Sequence, residues 1–425
     1  MLRKALLSHI YTQEPELLDS PKRTLLERLI IHASTKVPYY KELLHNHQND
    51  IRTLAATPTK LNKLPILEKE TIRNRSSDLL ANDHDTRKTY WNTSGGSTGI
   101  PVRFLQDTDY LKASRYITFQ QKLSTGYKIG DPWVKIWGNE RETEKGRKTM
   151  NGRLIDLAKN LTTLNSFRMS DSDQRVFLET INRKRPNLVV SYVQSIYELA
   201  KFAKTNGIGV NSVGAIIVSA GTLYPFMKEE IERVFNAPVF NRYGSRELGN
   251  IAISSPENDE LAISKGVWVE TVNDDGNTVP YGTEGDLVVT SLTNYSMPLI
   301  RYRIGDRGIL RLKENAEGET MMVLEKITGR TVDVFKTANG EKIDGEYFTH
   351  LLYFRDWIRK FQFIQKAVDN ITLNLVANNP PPEELDEIEL KVKHVMGENC
   401  KVVFRYLEDI KTPESGKFRY TISEL

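Results

Sequence analysis

The chain has 425 residues, a length that corresponds to two or three domains of roughly 150 residues each. Apolar residues make up 39% of it and charged residues 27%, which is a globular composition. The net charge of +4 is too balanced to indicate a nucleic-acid partner, and a single cysteine, Cys400, excludes a disulfide framework and a cysteine-rich zinc site. Because no apolar run approaches ~18 residues, we expect no membrane span. The lone cysteine and the lack of a secretory leader predict a cytoplasmic location.

Short helices are predicted in the first ninety residues. Pro21 precedes apolar residues at helical spacing, Pro38 begins a second helical segment, and a third is predicted after Pro65. The segment NTSGGSTGIPVRF, which begins at Asn92, is polar and rich in glycine, so it is predicted to be a loop.

Strands and helices then alternate. Runs of β-branched and aromatic residues predict strands at 133–138, 188–193, 215–221 and 237–244, with helices between them at 173–185 and 224–235. From about residue 260 to 312 the pattern changes to strands and turns. These patterns predict an α/β fold in which a large N-terminal domain of mixed sheets flanked by helices, residues 1–327, precedes a small α/β domain, residues 328–425.

The glycine-rich loop has the residue types of a phosphate-binding loop. Its hydroxyl groups and flexible backbone allow N–H and O–H groups to converge on an anion. It is not a Walker A loop, because Ile100 and Pro101 stand where lysine and serine or threonine are required. A flexible surface loop is the alternative. The residues concerned are Thr93, Ser94, Gly95, Gly96, Ser97, Thr98 and Gly99.

Three further segments contain residues suited to nucleotide chemistry. In RYGSRE, Tyr243 could stack on a base and Glu247 could help to hold a hard cation beside phosphates. In YRIGD, Asp306 could accept hydrogen bonds from a vicinal diol. Each carboxylate has an ordinary alternative, as a solvated acid or a turn residue. Arg330 is either a surface residue or a phosphate ligand, and Lys417 in the near-terminal SGK is, taken alone, a solvated charge.

The order of the motifs is more specific than any one of them. TSGGSTGIP, SAG, YGSRE, YRIGD, GRTVD and SGK, in that order, resemble the adenylate-forming ligase superfamily. The opening segments VPYYKEL and LPILEK resemble those of its phenylacetate–CoA ligase branch and of the related CapK-like proteins. The likeness extends from about residue 36 to the end of the chain.

The resemblance implies a role for each motif. Thr93 to Gly99 would hold the β- and γ-phosphates of ATP, Glu247 would bind Mg²⁺, and Lys417, on a mobile C-terminal domain, would bridge the substrate carboxylate and the α-phosphate. Lys417, Glu247 and Ser245 would form the catalytic group. The other implied assignments are Ser219, Ala220 and Gly221 along the adenine and acyl site, Tyr243 and Gly244 beside adenine, Ser245 at the α-phosphate, Asp306 at the ribose hydroxyls and Arg330 at the ribose or phosphate.

The reaction implied is ATP- and Mg²⁺-dependent activation of a carboxylic acid to an acyl-adenylate. The acyl group would then pass to CoA or to an amine, for instance on an amino sugar in surface-polysaccharide biosynthesis. Two other classes stay open: a phosphotransferase that uses the same loop, and a non-catalytic nucleotide-binding homologue that acts as a scaffold or regulator. Trp133, Trp137 and Tyr192 are either lining residues of an acyl pocket or members of the core.

Overall fold

A computed structural model describes residues 14–44, 58–94, 102–137, 155–166, 169–314, 318, 320–330, 334–352, 355, 357–410 and 420–425. None of the helices within these ranges is long and apolar enough to cross a membrane. The helices are α1 (Lys22–Lys36), α2 (Pro38–Leu44), α3 (Lys69–Asn74), α4 (Thr108–Leu123), α5 (Asp171–Lys184), α6 (Val193–Thr205), α7 (Pro225–Phe235), α8 (Gly345–His350) and α9 (Pro382–Met396).

The strands fall into a long N-terminal series and a shorter C-terminal one. The first series is β1 (Thr89–Thr93), β2 (Arg103–Asp107), β3 (Trp133–Ile136), β4 (Leu161–Leu164), β5 (Leu188–Tyr192), β6 (Ile216–Ser219), β7 (Val239–Ser245), β8 (Gly249–Ser254), β9 (Leu261–Ile263), β10 (Val267–Val272), β11 (Glu284–Ser291), β12 (Tyr302–Glu314) and β13 (Thr320–Arg330). The second is β14 (Val334–Lys336), β15 (Lys342–Asp344), β16 (Ile358–Ala367), β17 (Asn370–Ala377), β18 (Lys401–Tyr406) and β19 (Thr421–Ser423).

One mixed sheet of 11 strands dominates the described part of the chain, in the order β10-β11-β12-β13-β9-β8-β7-β6-β5-β3-β4. The strands from β4 to β7 pair in parallel, and those from β7 to β10 pair antiparallel. The part of the chain in which strands and helices alternate therefore ends at β7, and the part made of strands and turns begins there. The predicted fold class is confirmed.

Helices cover both faces of the parallel half, as a sheet buried on both sides requires. On one face Phe119 of α4 packs with Trp133, Val190 and Phe240. On the other face Ile196 of α6 lies in an apolar cluster that also includes residues of α5, α7 and the C-terminal strands. Successive residues of these strands therefore point into apolar cores on opposite faces of the sheet. This is why the strands are continuously apolar instead of alternating between apolar and polar residues.

The helix predicted after Pro65 needs a correction, because α3 begins only at Lys69. The intervening residues are extended, since Leu67 joins the large sheet. Its N–H donates to the carbonyl of Arg301 at 2.9 Å, and its carbonyl accepts from the N–H of Arg303 at 3.1 Å. Tertiary pairing therefore overrides the helical pattern that follows the proline. The helix α4, in contrast, was not predicted from the sequence.

The C-terminal residues form a separate four-stranded sheet in the order β18-β17-β16-β19, against which α9 packs. The β16–β17 pair is antiparallel, and both outer strands pair in parallel with it. Proline at the first turn of α9 fits the missing hydrogen-bond donor there. The division of the chain into two domains between residues 327 and 328 stays a prediction.

Candidate active site

The two ends of the predicted phosphate loop are joined by hydrogen bonds. Strands β1 and β2 form a hairpin in which Thr93 faces Arg103. One residue further on, the Ser94 N–H donates to the Val102 carbonyl and the Val102 N–H donates to Ser94 Oγ, both at 2.9 Å. Thr93 and Ser94 therefore lie at a closed, ordered base. The predicted residues Gly95, Gly96, Ser97, Thr98 and Gly99 lie outside the described residues.

A buried amide connects this base to the YGSRE segment. Gln106 of β2 accepts a 3.1 Å hydrogen bond from the Asn92 side chain and donates at 3.0 Å to the carbonyl of Arg246. It also donates at 3.4 Å to the carbonyl of Glu247. Gln106 belongs to none of the predicted motifs, because no sequence pattern distinguishes a buried glutamine of this kind. Gln106 thereby links the base of the glycine-rich loop to the YGSRE segment, which lies more than a hundred residues further along the chain.

The YGSRE segment forms the tight connection between β7 and β8. The space around its glycine, Gly244, is too small for a side chain. A Cβ on Gly244 would lie 2.4 Å from the carbonyl oxygen of Gly249, far inside van der Waals contact. Ser245 Oγ accepts a 3.2 Å hydrogen bond from the N–H of Leu248, which supports the turn. The turn leads Glu247 back into the molecule, where it is only 6% exposed.

Glu247 has a phenol as its partner. The hydroxyl of Tyr302 donates a 3.3 Å hydrogen bond to Glu247 Oε1. Burial and the nearby carboxylate raise the pKa of Tyr302 far above its usual range, so the phenol stays protonated and remains a donor. Burial, together with the charges of Tyr90 and Glu247, also raises the pKa of Tyr110. Within the described ranges, the Glu247 carboxylate is therefore held by a neutral phenol and forms no ion pair.

This carboxylate suits a magnesium ion that arrives with a nucleotide. Among the described residues, no group of three acidic, histidine or cysteine side chains could hold a metal by itself. Mg²⁺ in nucleotide enzymes usually takes one or two carboxylates, with substrate phosphates and water completing its shell. Glu247 beside the base of the predicted phosphate loop provides a donor set of that kind.

The YRIGD segment meets YGSRE through a short hydrogen bond. The Tyr243 hydroxyl donates to Asp306 Oδ2 at 2.6 Å. Asp306 follows Gly305, whose φ of +92° lies in the region that favours glycine. Asp306 is also in register with Arg330 on β13. The backbone therefore brings Tyr243, Asp306 and Arg330 into one neighbourhood, and the side chain of Arg330 lies outside the described residues.

The SAG segment adjoins YGSRE on the other side. Ser219 ends β6 in register with Arg242, and its Oγ donates to the Arg242 carbonyl at 2.9 Å. Ala220 has a φ of +57°, a left-handed conformation that costs a non-glycine residue about 1–3 kcal/mol. Gly221 follows, before α7 begins at Pro225. Such strained backbone is concentrated at functional sites.

Trp137, Tyr192, Ser219 and Arg242 form a row across the carboxyl ends of the parallel strands. Register and strand alternation place them on the face covered by α4. The Trp137 and Tyr192 rings lie 4.0 Å apart between centroids. Ligands of open α/β sheets bind at this end of the strands. Trp133, by contrast, is a member of the core under α4.

Of the predicted site residues, the structure thus brings together Thr93, Ser94, Ser219, Ala220, Gly221, Tyr243, Gly244, Ser245, Glu247 and Asp306, with Arg330 placed by its backbone. Lys417 lies outside the described residues. The roles of all these residues stay predictions.

Known proteins are similar to this chain over most of its length. Residues 335–424 match the family model of the CapK C-terminal domain. Protein CapK of Staphylococcus aureus is 24% identical over 395 residues, which cover 91% of this chain and 85% of that protein. A phenylacetate–coenzyme A ligase of Thermus thermophilus is 23% identical over 336 residues, which cover 76% of this chain and 74% of the ligase.

Solved structures of the same fold include a 2-hydroxyisobutyryl-CoA ligase. In its postadenylation state, in complex with R3-HIB-AMP, it superposes with a TM-score of 0.64 at 16% identity, covering 95% of this chain and 89% of the ligase. An open conformation in complex with 2-HIB-AMP and CoA gives a TM-score of 0.58 at 18% identity, covering 94% and 90%. The predicted resemblance to adenylate-forming ligases, in their phenylacetate–CoA ligase and CapK-like branch, is confirmed.

Proposed function

We propose that this adenylate-forming ligase uses ATP and Mg²⁺ to convert a carboxylic acid to an acyl-adenylate, and then transfers the acyl group to CoA or to an amine. The observation that carries the proposal is the contact of Tyr243 with Asp306 beside the buried Glu247. Motifs that lie about sixty residues apart in sequence meet there, next to the closed base of the glycine-rich loop.

The nucleotide would be bound by groups with distinct tasks. The Asp306 carboxylate accepts hydrogen bonds from the ribose hydroxyls, and the hydrogen bond from Tyr243 fixes its orientation. Tyr243 and Gly244 flank adenine together with Ser219, Ala220 and Gly221, and Ser245 contacts the α-phosphate. The loop from Thr93 to Gly99 binds the β- and γ-phosphates through backbone N–H and hydroxyl groups.

Charge neutralisation explains the catalytic group. Attack of a carboxylate on the α-phosphate brings two anions together, and Mg²⁺ supplies positive charge at the phosphates. Glu247 would hold that ion, while the ammonium of Lys417 bridges the two reacting groups as negative charge develops between them. Once the ion and Lys417 are in place, these charges are fixed before the chemical step and stabilise the transition state without further reorganisation.

Lys417 requires a second domain that can approach the site. We propose the division into residues 1–327 and 328–425, with the C-terminal part delivering Lys417 for adenylation and withdrawing it for transfer. In the structure the two parts are in contact. Rings of Phe226 and His394 meet edge to face at 4.9 Å, and Lys391 Nζ lies 3.1 Å from Glu198 Oε1.

The acceptor of the acyl group is proposed from the similarity of this chain to other proteins. The similarity to a phenylacetate–CoA ligase supports a thiol acceptor, CoA. The alternative acceptor is the one that the resemblance of the sequence implies, an amine on an amino sugar in surface-polysaccharide biosynthesis. In either case a lone pair attacks the acyl carbon and AMP leaves with the oxygen that joined it to the acid.

A panel of carboxylic acids tests the proposal. The protein is mixed with ATP, Mg²⁺ and each acid, and pyrophosphate release is measured alone, with CoA and with an amino sugar. Release of pyrophosphate and AMP with a particular acid is the expected result, and the acceptor that accelerates turnover identifies the second substrate. Formation of ADP would indicate a phosphotransferase, and no product from ATP would favour a non-catalytic nucleotide-binding scaffold.

A further inference from the structure

Arg242 is a buried cation without a partner in the described part of the chain. It is 9% exposed, and its Nε has no hydrogen-bond partner there. Burial lowers the pKa of Arg242 to about 10, and no described carboxylate offsets this. Because an uncompensated buried charge is strongly unfavourable, a protein retains one where a ligand supplies the missing anion.

A second buried cation lies on the same face of the sheet. Lys122, in the last turn of α4, places Nζ 3.3 Å from the centroid of the Trp133 ring. Burial lowers the pKa of Lys122 well below its usual range, and the positive charges of Arg242, Lys135 and Lys159 lower it further. No acidic side chain of the described residues counters this effect. Positive charge is therefore concentrated on the α4 face of the sheet.

The location of this charge relates it to the acid substrate. Arg242 immediately precedes Tyr243, and successive residues of a strand point to opposite faces. Tyr243 contacts Asp306 on the proposed nucleotide side, while Arg242 lies on the α4 side beside Ser219. The Trp137–Tyr192 ring pair continues the same row and provides an apolar wall.

We propose that the acid substrate is a dicarboxylic acid, and that Arg242, assisted by Lys122, binds the carboxylate that does not react. This inference rests on the proposed function, since it places the reacting carboxylate at the α-phosphate. A planar guanidinium can bind a carboxylate through two parallel hydrogen bonds, which makes Arg242 the specificity-determining residue. The unreacting group would supply the negative charge that the described residues do not place beside Arg242.

Two measurements test the inference. Succinate, glutarate and adipate are each compared with the monocarboxylate of the same carbon number, by pyrophosphate release and by the shift in thermal unfolding midpoint without ATP. For the wild type we expect at least one dicarboxylate to exceed its partner in kcat/KM by ~10-fold or more, the scale of a charge-assisted hydrogen bond. The same dicarboxylate should raise the unfolding midpoint.

The variants give the decisive comparison. Arg242→Met should abolish both the preference and the midpoint shift, and should raise the unfolding midpoint of the ligand-free protein, because it removes an uncompensated buried charge. Lys122→Met, a second variant in case the first fails to fold, should reduce the preference. Arg183→Met, at an exposed position on α5, should leave the preference unchanged.

The outcomes separate this inference from the proposed function. Pyrophosphate release from monocarboxylates without any dicarboxylate preference or shift would overturn the inference and leave the proposed function standing. A dicarboxylate shift that Arg242→Met abolishes, without pyrophosphate from any acid, would support the anion site and defeat the proposed function. Absence of both signals would overturn both.

Discussion

The hydroxyl of Tyr243 donates a 2.6 Å hydrogen bond to Asp306, although β8, β9 and β13 separate their strands in the hydrogen-bonded order of the sheet. Four steps of ~4.8 Å would place β7 and β12 roughly 19 Å apart in a flat sheet. The antiparallel half must therefore curl over, and Tyr302 reaches Glu247 through the same curvature. The proposed nucleotide site exists because of this bend.

Removing the hydroxyl of Tyr243 tests whether the bond orients Asp306 for the ribose. Tyr243→Phe should raise the KM for ATP by up to ~10-fold, the value of one hydrogen bond, with a smaller effect on kcat. Steady-state pyrophosphate release provides both constants. Tyr281→Phe, at an exposed tyrosine, is the matched control and should leave the KM unchanged. An unaltered KM in Tyr243→Phe would show that the hydrogen bond has no part in ATP binding.

Glu247 is expected to be essential for adenylation. Glu247→Gln keeps the shape of the side chain but removes the charge that would hold Mg²⁺, so adenylation should fall by on the order of 10²–10³-fold. The measurement is acid-dependent exchange of labelled pyrophosphate into ATP. Glu257→Gln, at an exposed acid in the next turn, should retain activity. Full exchange activity in the first variant would mean that the metal site is assigned to the wrong residue.

Gly244 should tolerate no side chain. In Gly244→Ala the new methyl group would meet the Gly249 carbonyl at 2.4 Å, so the turn must distort, at a cost of about 1–3 kcal/mol in the free energy of unfolding. Gly209→Ala has no neighbour within 4 Å of the added atom and provides the control. Denaturant unfolding of both variants provides the comparison. Equal stability of the two would show that the backbone relaxes at Gly244 without penalty.

Substitution of Lys417 should abolish acyl-adenylate formation and leave acyl transfer to the acceptor intact. Lys417→Ala should abolish acyl-adenylate formation while weakening ATP binding only modestly, because the ammonium meets its full charge complement only as the two anions approach. The variant should still convert supplied acyl-adenylate and acceptor to product. Lys401→Ala, at an exposed lysine on β18, is the control. Equal loss of both half-reactions would defeat the assignment.

Local patterns predicted the elements well where local forces decide them. Strands β3, β5, β6 and β7 and helix α7 lie within a few residues of the predicted ranges, because β-branched runs and an N-terminal proline act through nearby sterics. The parallel strand β4 was not predicted from the sequence. The YGSRE and YRIGD motifs also meet in space, through the contact of Tyr243 with Asp306. The roles of their residues stay predictions.

Long-range pairing explains the failures. The pattern after Pro65 is helical, but the backbone of Leu67 forms hydrogen bonds with the start of β12, more than two hundred residues away in the sequence. The curl that joins Tyr243 to Asp306, and the isolation of Arg242 from any described acid, depend on how distant strands pack. No window of sequence contains that information.

The fate of the carboxylate oxygen tests the central claim most directly. The protein is incubated with ATP, Mg²⁺, an acceptor and an acid labelled with ¹⁸O in its carboxyl group, and the AMP is analysed by mass spectrometry. If an acyl-adenylate forms, a labelled oxygen bonds to the α-phosphorus and stays there when the acyl carbon is attacked, so the AMP should carry ¹⁸O. Unlabelled AMP, or ADP in its place, would contradict the account.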